Sequence, residues 1–248
     1  MFKKLIRTLR SHVHRPVGRA LLLFVIAVLV ISAGFRLAAP LLVSSEMVKN
    51  SIEQSVARWT GHRMIIGGVS TIRFWPQPQA TLHDISIQAE GDGTNPDLQR
   101  RPIAIIKELS ASFRLMDALL GRPVFEDFRL VEPQIILTRQ ADGQVVWAGE
   151  GRLVQAIAAA RGSTQGQPLQ GELDAPVGDI RVANGTVEIA DPAGMVQARF
   201  SSINGEVDWP RLSEPAAIHA EAMLHGRKIS FDANSTEPLL LLGGDNGH

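Results

Sequence analysis

Residues 108–115 read ELSASFRL, and this stretch decides the fold because apolar and polar residues alternate through it without a break. Leu109, Ala111 and Phe113 occupy alternate positions, and polar residues stand between them. A period of two is typical of a strand with one face buried and the other in water. The stretch therefore predicts a half-buried β-strand.

The same alternation recurs along most of the chain and predicts further strands. The alternating apolar residues are Ile85 and Ile87; Ile135 and Leu137; Val145 and Trp147; Ile180 and Val182; Val187 and Ile189; Val196, Ala198 and Phe200; Val207 and Trp209; Ala220, Ala222 and Leu224; Ile229, Phe231 and Ala233. Residue pairs that favour tight turns, at 142–143, 184–185, 204–205 and 225–226, separate several of these runs. We expect a mainly β chain of antiparallel meanders with one wet face, and hairpins at these pairs.

Three segments have helical character and one has linker composition. After the serines at 44–45, Val48, Ile52, Val56 and Trp59 recur at helical spacing, which predicts an amphipathic helix docked on the sheet. Short helices are also predicted at 115–120 and 153–160, and an exposed loop at 90–102. The polar residues 162–171 (GSTQGQPLQG) predict a flexible linker between an α+β region at 44–161 and a β-meander segment at 172–248.

The first 43 residues have the pattern of a membrane anchor. Residues 1–19 contain six basic residues and no acidic one, and residues 20–43 are apolar except for Arg36. At about 1.5 Å per residue, this apolar stretch can cross a hydrocarbon core roughly 30 Å thick. The positive-inside rule then keeps the basic head at 1–19 in the cytoplasm, with the domain beyond residue 43 on the other side. A signal peptide cleaved near residues 32–34 is the alternative.

Composition excludes several classes of function. Once the seven basic residues of the first 43 positions are set aside, 18 basic and 25 acidic residues remain, so no nucleic-acid partner is expected. The chain has no cysteine, which excludes disulfides, thiolate metal sites and a thiol nucleophile.

No residue pattern points to catalysis. His83 and Asp84 are adjacent on a predicted strand, where neighbouring side chains point to opposite faces. Gly67 and Gly68 are not followed by the lysine and hydroxyl residue of a phosphate loop, so they indicate a bulge or a bend. No serine occupies a G-x-S-x-G motif. We expect a protein that is not an enzyme and has no catalytic residue, no metal site and no cofactor.

The order of motifs along the chain resembles the AsmA family of bacterial inner-membrane-anchored periplasmic proteins. The motifs, in chain order, are 60–63 (TGHR), 74–78 (FWPQP), 82–86 (LHDIS), 119–122 (LLGR), 133–137 (PQIIL), 142–147 (DGQVVW), 184–191 (NGTVEIAD) and 203–205 (ING). Two positions depart from the family pattern. His62 splits the usual T-G-R, and Val146 stands where an asparagine often precedes the tryptophan.

The resemblance implies both a shape and a function. The family is similar to bridge-like lipid-transfer proteins, so the sheet is expected to be curved, open and groove-like. It should handle or conduct phospholipid between the inner and outer membrane and contribute to outer-membrane biogenesis. The candidates for lipid-facing residues are Leu109, Ala111, Phe113, Ile135, Leu137, Ile180, Val182, Val187, Ile189, Leu224, Ile229 and Phe231.

The sequence is also compatible with other functions and partners. The strands could close into a β-sandwich that acts as a periplasmic scaffold or adaptor, since sandwich strands also alternate. A hydrolase without a recognisable motif is a further alternative. Family members usually continue through many more β repeats, so the chain resembles an N-terminal portion or a truncated paralogue. Residues 239–242 (LLLL) are expected to begin an unpaired strand that pairs with another β protein or self-associates.

Overall fold

A computed structural model describes residues 24–30, 34, 45–88, 102–120, 123–139, 145–146, 151–162, 169, 171–191 and 193–242. The chain divides into two compact units, Met1–Ser44 and Ser45–His248. In the first unit, residues 24–30 are helical and their large apolar side chains are exposed. Among the residues described, no helix has both the length and the apolarity needed to span a bilayer. The predicted head and most of the predicted anchor lie outside these residues.

The second unit is mainly β, as predicted. Its strands are β1 (Arg63–Ile66), β2 (Thr71–Arg73), β3 (Gln79–Gln88), β4 (Pro102–Phe113), β5 (Phe125–Arg139), β6 (Val145–Val146), β7 (Pro176–Ala190), β8 (Val196–Arg211), β9 (Ala216–Leu224) and β10 (Arg227–Ser235). Its helices are α1 (Ser45–Thr60), α2 (Leu115–Leu119), α3 (Arg152–Gly162) and α4 (Pro238–Leu242), with a 3₁₀ turn at Gly171–Leu173. The three predicted helices are confirmed as α1, α2 and α3.

All ten strands belong to one sheet. The main path runs β1-β3-β4-β5-β7-β8-β9-β10, with β2 paired to β3 and β6 paired to β5. Because the path has two ends, this sheet is open. The sandwich alternative requires a second sheet packed on the first, and the strands described here form only one.

The prediction of an entirely antiparallel meander is wrong at one pair. Strands β5 and β7 are parallel, whereas the other pairs are antiparallel. Phe128 lies beside Ile180, and Leu137 lies beside Ile189. Parallel neighbours need a long crossover, and here the chain passes through α3 and the 3₁₀ turn before β7 begins. The sequence predicts the helix α3, but it does not predict that the chain returns to place β7 beside β5.

Two of the predicted hairpins are also wrong. Asn184 and Asn204 lie inside β7 and β8, which are continuous strands of 15 and 16 residues. Asn184 has a φ of 54°, and the strand register shifts beside both asparagines. The backbone N–H of Asn184 donates to Oδ1 of Asn204 at 3.0 Å. A bulge can use the same positive φ that makes Asn-Gly favourable in a tight turn, so the dipeptide indicates either structure.

The predicted hairpin at residues 225–226 is confirmed. His225 and Gly226 both have positive φ, at 50° and 76°, and they connect β9 directly to β10. This is the backbone geometry that a two-residue hairpin loop requires.

Gly67 and Gly68 form the predicted bulge or bend, since they lie between the end of β1 and the start of β2.

Helix α1 docks on the sheet, as its apolar stripe predicts. Val48 and Ile52 are buried, and Nζ of Lys49 donates to the backbone oxygen of Ile66 at 3.2 Å. Gly61, with a φ of 72°, follows the last helical residue and provides the left-handed stop. The helix therefore lies against the strand that follows it.

The prediction that residues 239–242 begin an unpaired strand is wrong. These leucines belong to α4, and Leu239 is buried in a cluster with Ile157 of α3 and Trp209 of β8. Pro238 suits the first position of a helix, and leucine is a strong helix former. The leucine run covers this core and does not extend the sheet.

Three predicted features lie largely outside the described residues. They are the linker at 162–171, the loop at 90–102 and the turn at 142–143. The domain boundaries at 161 and 172 stay predictions, although β5 and β7, from either side of the linker, pair along most of their length.

Candidate functional site

The strand registers place all twelve lipid-facing candidates on one face of the sheet. Residues directly opposite in paired strands share a face, and alternate residues of each strand return to it except where the alternation is interrupted. It is interrupted at residues of positive φ, Glu132 in β5, Asn184 in β7 and Ser202 in β8, and the burial pattern of β4 changes parity between Ile106 and Leu109. Three rows, read across the sheet from β4, are Ala111, Phe128, Ile180, Val207 and Ile218; Leu109, Leu130, Val182, Gly205, Ala220 and Phe231; and Ala104, Ile135, Val187, Phe200 and Leu224. Phe113, Leu137, Ile189 and Ile229 extend these rows. We call this surface the apolar face.

The sequence prediction missed the part of the apolar face formed by the first half of β5. Phe125, Phe128 and Leu130 lie there, but Asp127 and Glu132 adopt positive φ values of 54° and 49°. The strand register shifts at Asp127, which is a bulge, and both residues of positive φ break the strict alternation that identifies a strand in sequence. The short alternation from Phe128 to Leu130 is the sequence signal that could have identified this part of β5.

Helices roof one part of the apolar face and leave a partly open cavity of about 620 Å³ beneath them. Its walls come from the apolar face at Ala80, Leu82, Leu109, Ala111 and Phe128, from α1 at Ile52, Val56 and Trp59, and from Leu153 of α3 and Leu242 of α4. The volume falls within the range of roughly 300 to 1,000 Å³ that is usual for small-ligand sites. The walls named here offer van der Waals contact to an apolar molecule.

The charged groups at the cavity wall are largely paired with each other. Arg152 Nη2 lies 2.5 Å from Glu172 Oε2, and Arg211 Nε lies 3.0 Å from Asp174 Oδ2. Three of these four residues, Arg152, Glu172 and Asp174, line the cavity. The pairing neutralises these three charges, whereas Arg58, which also lines the cavity, donates to uncharged oxygens of Gln54 and Ser55 in its own helix.

Asp174 holds the segment before β7 against the end of β8. Its Oδ1 accepts the backbone N–H of Ser213 at 3.1 Å, in addition to the contact with Arg211. Burial by itself raises the pKa of this carboxyl, but the hydrogen bonds from Arg211 and Ser213 outweigh it and hold the pKa below its usual 3.8. The charged form of Asp174 is therefore favoured in the folded chain.

This contact predicts a pH-dependent stability. A carboxyl whose pKa is lower in the folded chain than in the unfolded chain stabilises the fold at any pH above its unfolded pKa. This stabilisation is lost as the pH falls through the pKa of the folded chain. Asp174→Asn should therefore lower the free energy of unfolding by about 1 kcal/mol at neutral pH. Urea unfolding of the detergent-solubilised chain measures this difference, which should vanish well below pH 3.8. Asp208→Asn, at an exposed position, is the control, and a deficit that persists unchanged in acid contradicts the assignment.

The opposite face of the sheet is polar and charged. One row contains Ser110, Arg129, Arg181, Glu206, His219 and Asp232. Arg181 pairs with Glu206 at 2.7 Å, and the hydrogen bond and charge of Asp232 raise the pKa of His219. Apart from Ser110, which is buried beside Thr81, the members of this row are largely in contact with solvent. The sheet is thus amphipathic across β4 to β10.

The remaining chemical candidate, His83, does not form a dyad with Asp84. Asp84 adopts a φ of 53°, and Nδ1 of His83 lies 3.9 Å from Oε2 of Glu108 on the polar face. Within the described ranges, no group of three or more histidine and acidic side chains is arranged to hold a metal ion.

Comparison with known proteins agrees with the motif order. The sequence model of the AsmA family matches residues 15–240 of this chain. The matched residues include the ten strands described above and all twelve lipid-facing candidates. A comparison with curated proteins gives no match. Because the family match runs from within the basic head to the last helix, the chain belongs to the AsmA family.

Proposed function

We propose that this protein handles phospholipid on its apolar face as an anchored protein of the bacterial inner membrane, with its second unit in the periplasm. Membership of the AsmA family supports association with a membrane. The single observation that carries the proposal is the apolar face, which continues across β4 to β10 on one side of an open sheet. The basic head and apolar stretch at the N-terminus support the proposed location.

The physical task is to keep hydrocarbon out of water. Exposing an acyl chain of about 16 carbons costs about 12 kcal/mol, at roughly 0.8 kcal/mol per methylene group. An apolar surface that replaces water along the path removes most of this cost. The task requires no catalytic group, so the proposed function is a non-enzymatic one.

The apolar face is covered in one part and open in another, as such a task requires. Ala80, Leu82 and Ala111, in the cavity wall, are between 1 % and 3 % exposed. Ile229 and Phe231, near the other edge of the sheet, are 38 % and 56 % exposed. Exposed apolar surface of this kind marks binding sites. An acyl chain can therefore occupy the cavity and extend onto the open part.

Transfer between the two membranes needs a longer apolar surface than this sheet provides. The eight strands of the main path, at about 4.8 Å spacing, give a width of roughly 38 Å. Strand β10 ends the path and has no second strand partner among the residues described. We propose that this edge pairs with another β protein or a second copy, which would lengthen the apolar face.

Photo-crosslinking tests the lipid assignment at two neighbouring residues of β5. Leu137 lies on the apolar face and Thr138 on the other, so a photoreactive amino acid at each position samples opposite surfaces. In cells with labelled phospholipid, Leu137 should crosslink to lipid and Thr138 should not. Lipid around the anchor cannot produce this difference, since both variants carry the same anchor. Equal lipid labelling at both positions, or only protein crosslinks at Leu137, would overturn the proposal.

A further inference from the structure

Exposed apolar side chains gather at one end of the sheet, outside the apolar face. Trp75, in the loop between β2 and β3, is 62 % exposed, and Met116 and Leu120, in and after α2, are 65 % and 76 % exposed. The two segments leave the sheet at the same end, because the N–H of Phe113 donates to the backbone oxygen of Pro78 at 3.0 Å. We call Trp75, Met116 and Leu120 the apolar tip.

A row of aromatic rings connects the apolar tip with the cavity. Phe74, the neighbour of Trp75, packs edge-on against Phe113 with ring centroids 6.5 Å apart. Phe113 in turn lies 6.2 Å from Phe125, which lines the cavity. Apolar contact therefore runs from Phe74, beside the tip, to Phe125 in the cavity wall.

The composition of the tip favours a lipid bilayer over a protein partner: its large apolar side chains are exposed, and one cation, Arg73, and one carboxylate, Asp117, lie beside them. The tip belongs to the second unit, which begins at Ser45, directly after the predicted anchor in the sequence. The exposed Arg73 precedes the tip and donates to the neutral amide of Gln79 at 2.6 Å. This pairing leaves its positive charge available to anionic headgroups.

We propose that the apolar tip inserts into the membrane interface and forms the portal through which an acyl chain reaches the cavity. An indole ring suits this depth because tryptophan combines a large apolar body with a polar group and is enriched at membrane interfaces. The chain would pass along Phe74, Phe113 and Phe125. The passage of an acyl chain through this portal rests on the proposed lipid function, whereas the insertion of the apolar tip into the membrane does not.

Site-directed spin labelling tests the insertion, because the chain has no cysteine of its own. The full chain is reconstituted in vesicles of phosphatidylethanolamine and phosphatidylglycerol with a nitroxide on Met116→Cys or Leu120→Cys. Met195→Cys is the matched control, since Met195 is 68 % exposed and lies between β7 and β8 at the opposite end of the sheet. The labels at the tip should lose collisions with a water-soluble nickel chelate and gain collisions with oxygen. The control label should behave as one in water.

The outcomes separate this inference from the proposed function. Tip labels that collide with the chelate as often as the control does overturn the insertion, even when Leu137 still crosslinks to lipid. Tip labels shielded from the chelate support the insertion, even when Leu137 fails to crosslink. Exposed sites tolerate a label without loss of the fold, so a negative result is not explained by unfolding.

Discussion

Val187→Asp should abolish lipid contact on the open part of the apolar face. Val187 lies between Ile135 and Phe200 in one row, and it is half-buried and outside the cavity wall. A carboxylate among acyl chains costs about 2.5 to 3.5 kcal/mol, which is roughly a hundredfold in occupancy. The measurement is the yield of phospholipid crosslinked to a photoreactive amino acid at Leu137, two positions further along the neighbouring strand from Ile135.

Thr186→Asp is the matched control for this substitution. Thr186 is the preceding residue of β7, is also half-buried and lies on the polar face opposite Gln134. It introduces the same charge at nearly the same place, so the lipid yield should stay at the level of the unmodified chain. Equal losses from both variants would show that charge or instability, and not the apolar face, controls the signal.

Ile85→Ala should destabilise the second unit by about 2 to 5 kcal/mol, the largest loss of stability expected from a single truncation here. Ile85 is completely buried between Ile66 of β1 and Ile106 of β4. Removing its outer carbons leaves a void that the sheet and α1 cannot close. Urea unfolding of the detergent-solubilised chain, followed by tryptophan fluorescence, measures the effect.

Ile105→Ala provides the comparison. Ile105 is the neighbour of Ile106 in β4 and points to the opposite face, where it is 43 % exposed. Its truncation should cost well under about 1 kcal/mol because solvent replaces the lost contacts. Similar losses at Ile85 and Ile105 would mean that α1 does not cover this part of the sheet.

The cavity and the open part of the apolar face differ in how they are covered. The helices that roof the cavity come from both sides of the predicted linker, since α1 and α3 precede it and α4 follows it. Segments distant in the chain thus close one part of the apolar face, while β9 and β10 leave their part open. In the proposed function, the covered part would hold a lipid and the open part would receive it.

The sequence by itself determined which residues of a strand segment point to the same side. Alternation is a local property of the strand, so Leu109, Ala111 and Phe113 could be assigned to one side of β4 before any pairing was known. The same holds for α1, whose stripe of Val48 and Ile52 is buried as its helical period requires. The limit of this reasoning appears at Asp127 and Glu132, where residues of positive φ interrupt the period and conceal the start of β5.

Only the tertiary structure decided how these strands and helices are arranged. Asn184 could serve a turn or a bulge, and the long partner strand β8 selected the bulge. Residues 239–242 could form a strand or a helix, and burial of Leu239 against Ile157 selected the helix. The parallel β5–β7 pair, the cavity and the apolar tip depend on contacts between residues far apart in the chain. Local patterns do not encode such contacts, because their free energy appears only when the partner surfaces meet.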